Sequence, residues 1–320
     1  MGTQQNEYSN QEENNASFIK RFWIYQRERF PLLAHGIMIS AFSFSAIAYS
    51  RISRGVEGFI SWQHFLVGVF TTVTLFLLVR IFDEFKDAKE DAMYRKELPV
   101  PRGLISFKEL RLTGMVLFLV QISVNLIFFP KMLIIYGIVI FYLCLMGKEF
   151  FVADWLKKHP FWYVTSHMLI IPLIDIYASG LDWLLAGADA PRGLLFFFAV
   201  SFMNGIVLEI GRKIRTPSDE KVGVETYSYM LGAKKATELW IFILFVTWLL
   251  SIAASYYAGY GILAYIILTA IFMLSCISAV LFMNNMTSKR AKAIELTSAG
   301  WTIAMYLSLG GVPMLERLFG

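Results

Sequence analysis

The chain has 320 residues, of which 57% are hydrophobic, with a mean hydropathy of +0.57 and a net charge of +5. So much apolar surface exceeds what a soluble core can bury, which excludes an ordinary water-soluble domain and makes membrane lipid the expected surroundings. No nucleic-acid partner is expected. The two cysteines, Cys144 and Cys276, both fall inside apolar runs, where neither disulfide pairing nor a zinc site finds partners.

In chain order, residues 1–16 are rich in Asn, Gln, Glu and Ser. They lack the basic start and short apolar core of a cleaved signal peptide and predict a disordered tail. Residues 17–320 then read as one transmembrane domain. Nine apolar runs are predicted to span a bilayer: Pro31–Ser50, Trp62–Phe82, Leu112–Phe129, Met132–Met146, Phe161–Ala178, Leu194–Leu208, Leu239–Tyr257, Ile262–Met283 and Ala299–Leu315. In hydrocarbon each backbone group must be satisfied within its own segment, and runs of this length without barrel alternation read as helices. The predicted fold class is therefore all-α, a polytopic bundle of nine transmembrane helices.

The basic residues divide unevenly between the connections. One face carries 24 of them, from Lys20 and Arg21 through the Arg80–Arg111 connection to Lys292, and the other carries five, Arg51, Arg54, Lys131, Arg192 and Arg317. Basic loops stay in the cytoplasm. This predicts a cytoplasmic N-terminus and, with an odd number of spans, a C-terminus on the opposite side.

On the basic face, the second-to-third connection opens with Asp83-Glu84-Phe85-Lys86-Asp87-Ala88-Lys89-Glu90-Asp91. Asp83, Asp87 and Asp91 share one helix face, and like charges at this spacing repel unless something cationic offsets them. A divalent metal is one candidate, because Mg²⁺ takes one or two carboxylates together with water and phosphate oxygens. The alternative is a solvated helix end with Lys86 paired to Glu90 and Asp91 to Arg95. Arg95 and Lys96 follow, in a loop that runs Pro99-Val100-Pro101-Arg102-Gly103-Leu104-Ile105-Ser106, stiffened by its prolines. Arg95, Lys96 and Arg102 are candidate phosphate contacts. The sixth-to-seventh connection also mixes signs, with Glu209, Arg212, Lys213, Arg215 and Asp219. Glu209 and Lys213 are spaced for an ordinary ion pair.

These residues resemble the UbiA superfamily of intramembrane prenyltransferases, whose nine helices carry two Asp-rich loops on the cytoplasmic face. Asp83-Glu84, Asp87 and Asp91 occupy the acidic positions of that family's first motif, and Pro99, Pro101, Gly103, Ile105 and Ser106 match the loop after it. Asp219, Gly223, Thr226 and Gly232 keep the frame of the second motif. Its earlier Asp is replaced by a base: one alignment places Arg215 there, and another, anchored on Glu209 and Arg212, places Lys213. Fewer protein ligands for metal are therefore expected at the second loop.

The resemblance implies a Mg-dependent enzyme that ionises an allylic isoprenoid diphosphate and transfers the prenyl group to a lipophilic or aromatic acceptor. The alternative is a UbiA-type terpene cyclase, which closes the chain without an acceptor. On the same footing it implies catalytic roles for Asp83, Asp87, Asp91 and Asp219, and metal contacts from Asp83, Asp87, Asp91 and Glu209. Arg95, Lys96, Arg102, Arg212 and Lys213 are the implied diphosphate contacts. A carrier or channel is a third reading, less favoured because strong charge collects in loops on one side. Polar residues inside spans, Gln121, Asn125, His167, Asp175 and Asn204, mark candidate interior positions.

Overall fold

The computed structural model describes residues 13–220 and 223–320; most of the predicted tail, residues 1–12, lies outside the described residues. Among those described there is no strand. The helices are α1 (Phe18–Arg29), α2 (Leu32–Ser53), α3 (Trp62–Lys86), α4 (Ala88–Tyr94), α5 (Phe107–Phe128), α6 (Leu133–Met146), α7 (Ala153–Lys158), α8 (Pro160–Met168) and α9 (Ile170–Trp183). They continue with α10 (Gly193–Gly211), α11 (Tyr227–Leu231), α12 (Ala233–Tyr257), α13 (Ile262–Asn284), α14 (Ser288–Tyr306) and α15 (Val312–Phe319).

A helix lies over each predicted run. Among the described residues seven are long and apolar enough to cross a membrane: α2, α3, α5, the α8–α9 pair, α10, α12 and α13. The fourth run forms a shorter helix, Pro130–Met146. The ninth lies in a helical stretch that begins with Lys289, Arg290, Lys292 and Glu295 and passes through a π turn, Leu307–Gly311, into α15. Charge in its first turns makes that helix less apolar. The fifth run is interrupted at Leu169, between α8 and α9. Pro172 has no N–H to give to the Met168 carbonyl, so the regular ladder cannot pass through.

Packing sets the bundle's centre. Helix α10 lies against α12 and α14, and α9 against α2 and α10. Between α3, α5, α6 and α9 a polar network closes on itself. Gln121 Nε2 donates to Thr74 (2.7 Å) and its Oε1 accepts from Tyr136 (2.8 Å); Asn125 Oδ1 accepts from Tyr177 (2.6 Å) and its Nδ2 donates to Thr71 (3.3 Å). Gln121 and Asn125 thus tie helices together, as polar residues in hydrocarbon must.

On the face opposite the acidic motif, Asp182 takes up both Arg51 (3.0 Å) and Arg54 (2.9 Å) and accepts from Ser50 (2.8 Å). Two of the five bases on that face thereby share one buried carboxylate. Asp182→Ala should cost about 3 kcal/mol, because both guanidinium groups stay behind with no counter-charge; a thermal unfolding midpoint equal to that of the parent protein would contradict this.

Helix α1 lies beside the bundle with Ile19 (80% exposed) and Trp23 (60%) turned outward and Tyr25 fully buried. Its outward apolar face marks an interfacial helix.

Candidate functional site

Helix α3 carries the first acidic motif to the end of the bundle and stops at Lys86. Asp87 is a hinge residue (φ −88°, ψ 3°) from which α4 starts. Hydrogen bonds from Asp87 N to Asp83 O (2.8 Å) and from Asp91 N to Asp87 O (2.9 Å) keep the turn spacing across it. The three acids nevertheless meet different surroundings. Asp83 and Asp87 are partly exposed and share Lys86, whose ammonium lies 3.2 Å from one and 3.8 Å from the other. Lys86 also donates to the Tyr163 hydroxyl at 3.2 Å. Asp91 is buried and is paired with Arg95 (3.1 Å) and more loosely with Arg29 (3.8 Å). Its Oδ2 has no hydrogen-bond partner.

Of the two alternative ion pairs, Asp91–Arg95 forms, whereas Lys86 turns to the aspartates and leaves Glu90 to Lys157 (2.9 Å). Burial pushes the Asp87 carboxyl above the ordinary aspartate range, with Lys86 opposing and Asp83 and Asp91 adding to the rise. Burial likewise raises Asp91, against the pull of Arg95 and Arg29.

The Pro-x-Pro loop is held by α1. Gly103 takes φ +81°, open to glycine without strain, and Leu104 N bonds back to Pro99 O at 2.9 Å. Ser106 and Glu109 form a reciprocal cap on α5, and Arg21 clasps Glu109 at 2.5 Å and the Leu104 carbonyl at 2.9 Å. Arg102 meets both oxygens of Glu28 at 2.8 Å, with Glu13 at 3.6 Å. Asn14 donates to the Arg102 carbonyl (3.1 Å), so the chain just before α1 rests on this loop. Arg102 is therefore committed to α1, and Lys96 is exposed beyond it.

Across the bundle, α10 ends with Glu209, whose carboxylate is gripped by Arg212 (Nε at 2.7 Å) and Lys213 (2.8 Å). The ordinary ion pair read from the spacing is present. Arg212 lies within electrostatic reach of Asp83 and Arg80, and Tyr227 within reach of Glu209, Arg212 and Tyr163. Asp83, Lys86, Asp87 and Tyr163 from the first side and Glu209, Arg212 and Lys213 from the second thus form two electrostatically linked clusters at one end of the bundle, its mouth. Gly223 (φ +77°) sits against the ring of Tyr94, which a Cβ would strike at 2.5 Å, and so brings the two loops into direct contact.

Asp219 closes a short 3₁₀ turn, accepts from Thr216 at 2.7 Å, and lines a cleft with Arg212, Arg215, Ser288 and Lys292. The hydroxyls of Thr216 and Ser288 hold its carboxyl below the usual range.

The motif contains Glu84 without revealing its role, and it does not name Lys86 or Tyr163. Glu84, 1% exposed, is locked between Arg29 (2.7 Å) and Arg80 (3.1 Å). Lys86 carries a legible signal, a base flanked by acids at i−3 and i+1. Tyr163 carries none.

Among the described residues no three carboxylate, imidazole or thiol groups converge closely enough to hold a metal ion by themselves. The mouth offers instead two accessible carboxylates, Asp83 and Asp87, facing a basic second loop. Such an arrangement suits an anionic ligand that brings its own oxygens to a divalent cation.

Comparison with known proteins gives the fold a context. A digeranylgeranylglyceryl phosphate synthase structure superposes with a TM-score of 0.60 at 17% identity, covering 88% of this chain and 99% of the other. A UbiA homologue from Aeropyrum pernix K1 gives 0.64 at 13% identity, covering 88% and 98%. A UbiA homologue from Archaeoglobus fulgidus, bound to GPP and Mg²⁺, gives 0.52 at 13% identity, covering 87% and 99%. No curated protein sequence matches the chain. The sequence profile of the UbiA prenyltransferase family matches residues 35–308, a range that takes in both loops of the mouth, and the chain, a multi-pass integral membrane protein, belongs to that family.

Proposed function

We propose that this protein is a Mg²⁺-dependent intramembrane prenyltransferase. Its mouth takes the diphosphate of an allylic isoprenoid diphosphate, the prenyl chain lies among the helices, and the prenyl group passes to a lipophilic acceptor. The mouth and the N-terminus face the cytoplasm, as the distribution of Lys and Arg argues. The observation that carries the reading is the pair Asp83 and Asp87 joined through Lys86, with Arg212 of the Glu209–Arg212–Lys213 cluster within electrostatic reach of Asp83. The Archaeoglobus homologue with GPP and Mg²⁺ supports it.

The residues fit magnesium. Asp83 and Asp87 are hard oxygen donors at the surface, 26% and 31% exposed, and Mg²⁺ usually takes one or two carboxylates and completes its shell with water and phosphate. When bound, the ion supplies positive charge to the departing diphosphate. Arg212 and Lys213 contact phosphate oxygens directly, and Lys213 takes a share of that charge where one alignment to the family's second motif has an acid. Glu209 holds both bases in place, and Asp91 does the same for Arg95 and Arg29. Arg95 and Lys96 stand at the rim, where they draw the anion in. Asp219, in a cleft shared with Arg212, keeps its turn.

Purified protein given geranyl, farnesyl or geranylgeranyl diphosphate should release inorganic diphosphate with Mg²⁺ and an acceptor, stop on addition of a chelator, and resume when Mg²⁺ is restored. Release that continues in excess chelator would count against the metal; a cyclic product without acceptor would assign a cyclase instead. Arg102→Gln, which loses the clasp to Glu28, should leave affinity for inorganic diphosphate within about twofold, since the clasp is partly exposed and remote from the anion. A larger loss would place Arg102 at the ligand.

A further inference from the structure

Deep in the bundle, α9, α10 and α14 bring together Asp175, Ser201, Asn204 and Tyr306. Asp175 and Ser201 are fully buried, and Asn204 and Tyr306 nearly so. The Ser201 and Tyr306 hydroxyls are bonded to each other at 2.6 Å. Both hydroxyls stand within hydrogen-bonding reach of Asp175, and Tyr306 within reach of Asn204. Asn204 spends its Oδ1 on the Trp301 indole N–H at 3.0 Å. What is left over is specific: neither oxygen of Asp175 nor the amide Nδ2 of Asn204 makes a hydrogen bond of regular geometry, and since one of the two hydroxyls donates to the other, a single O–H remains to serve both carboxyl oxygens.

The contrast with Gln121 and Asn125 is direct. Those side chains sit equally deep and match their donors and acceptors to neighbours. Leaving a buried polar group unmatched is costly, and an ionisable residue inside a membrane bundle marks function by default. The backbone adds a second sign. Directly after Tyr306, α14 widens into the π turn Leu307–Gly311, a distortion that recurs at functional sites, and Gly310 is pressed against the backbone of Ser45 there.

We propose that Asp175 and Asn204 form a subsite within the apolar bundle that binds a hydroxyl group. The guest O–H donates to a carboxyl oxygen of Asp175, and the guest oxygen accepts from Asn204 Nδ2. A ketone or ester oxygen would satisfy Asn204 alone, an ammonium Asp175 alone, and a hydrocarbon neither. Asn204 and Ser201 precede Glu209 by five and eight residues on α10, which puts the subsite about 8–12 Å beneath the mouth at 1.5 Å per residue. A hydroxyl held there, from water or from an alcohol or phenol acceptor, faces the prenyl chain rather than the diphosphate; that consequence rests on the function proposed above, while the binding itself does not.

The decisive experiment measures binding of para-hexylphenol and of hexylbenzene, which lacks the hydroxyl, to the purified full chain in detergent. Emission of Trp301, isolated by subtracting a Trp301→Phe control, reports the guest, because Trp301 is bonded to Asn204. The phenol should be preferred by about tenfold, and Asp175→Leu should abolish the preference. Asp175→Asn preserves side-chain volume and guards against misfolding; it should reduce the preference severalfold. Equal affinity for the two probes in the parent protein, or an unchanged preference in both variants, overturns the subsite.

Incubation with a prenyl diphosphate in water labelled with heavy oxygen separates the sources: a labelled alcohol assigns water, and an ether of the added phenol assigns an organic hydroxyl. Asp175→Asn should lower either product about tenfold relative to released diphosphate, and an unchanged ratio again overturns the subsite. If the parent protein releases no diphosphate at all, the prenyl reading fails and the comparison of the two probes alone decides.

Discussion

Alanine in place of Asp87 is expected to lower Mg²⁺-dependent release of diphosphate by about a thousandfold, the scale seen when a preorganised group at the developing charge is removed. Two effects combine at this position. One of the two accessible carboxylates is lost, and Lys86, which Asp83 and Asp87 share, is left to Asp83 alone and neutralises the donor that remains. Asp87→Asn separates these effects, because it keeps the shape of the hinge between α3 and α4. It should lose nearly as much turnover while unfolding at the parental temperature. Turnover within a few-fold of the parent protein, with folded and monodisperse variant, would remove Asp87 from the mechanism.

Glu84→Ala is expected to be the most destabilising single change at the mouth. Glu84 is 1% exposed and holds Arg29 and Arg80 at 2.7 and 3.1 Å. Deleting the carboxylate strands two partly buried guanidinium groups, and breaking a buried pair costs about 3–5 kcal/mol. The consequence reaches beyond stability, because Arg29 is the last residue of α1 and also reaches Asp91. With Glu84 gone, α1 should detach from the first motif, which limited proteolysis after Arg27 or Arg29 would detect. Paired measurements of unfolding temperature and cleavage rate check this; a variant as stable and as protected as the parent protein would show that Arg29 and Arg80 find water instead.

The membrane-spanning architecture was legible because its physics is local. An apolar run long enough for the bilayer has to satisfy its backbone as a helix, and a helix lies over every predicted run. Where the reading and the structure part, charge or proline is the cause: Lys289, Arg290, Lys292 and Glu295 at the start of α14, and Pro172 behind the break at Leu169.

The site was legible in part. Motif order and spacing pointed to Asp83 and Asp87, which share Lys86, and to Glu209, Arg212 and Lys213, which pair with one another. Spacing alone placed Asp91 on the same face, but the hinge at Asp87 turns α4 inward and hands Asp91 to Arg95 and Arg29. Glu84 and Lys86 have local partners in Arg80 and Asp83, but their further partners Arg29 and Tyr163, and Glu28 for Arg102, lie 55, 77 and 74 residues away in the chain. No periodicity encodes such pairings; they exist only once the helices have packed.

Helix α1 offers Ile19 and Trp23 to its surroundings while its inner side grips Glu84, Glu109 and Arg102 through Arg29, Arg21 and Glu28. Placed at a membrane interface, α1 would join the leaflet boundary to the ligand cap, as a twelve-residue lever whose inner side carries the anchoring contacts of both the acidic motif and the proline loop. Turnover in nanodiscs should accordingly track lipid composition, and a detergent micelle, which imposes no ordered boundary on the lever, should give the slower enzyme.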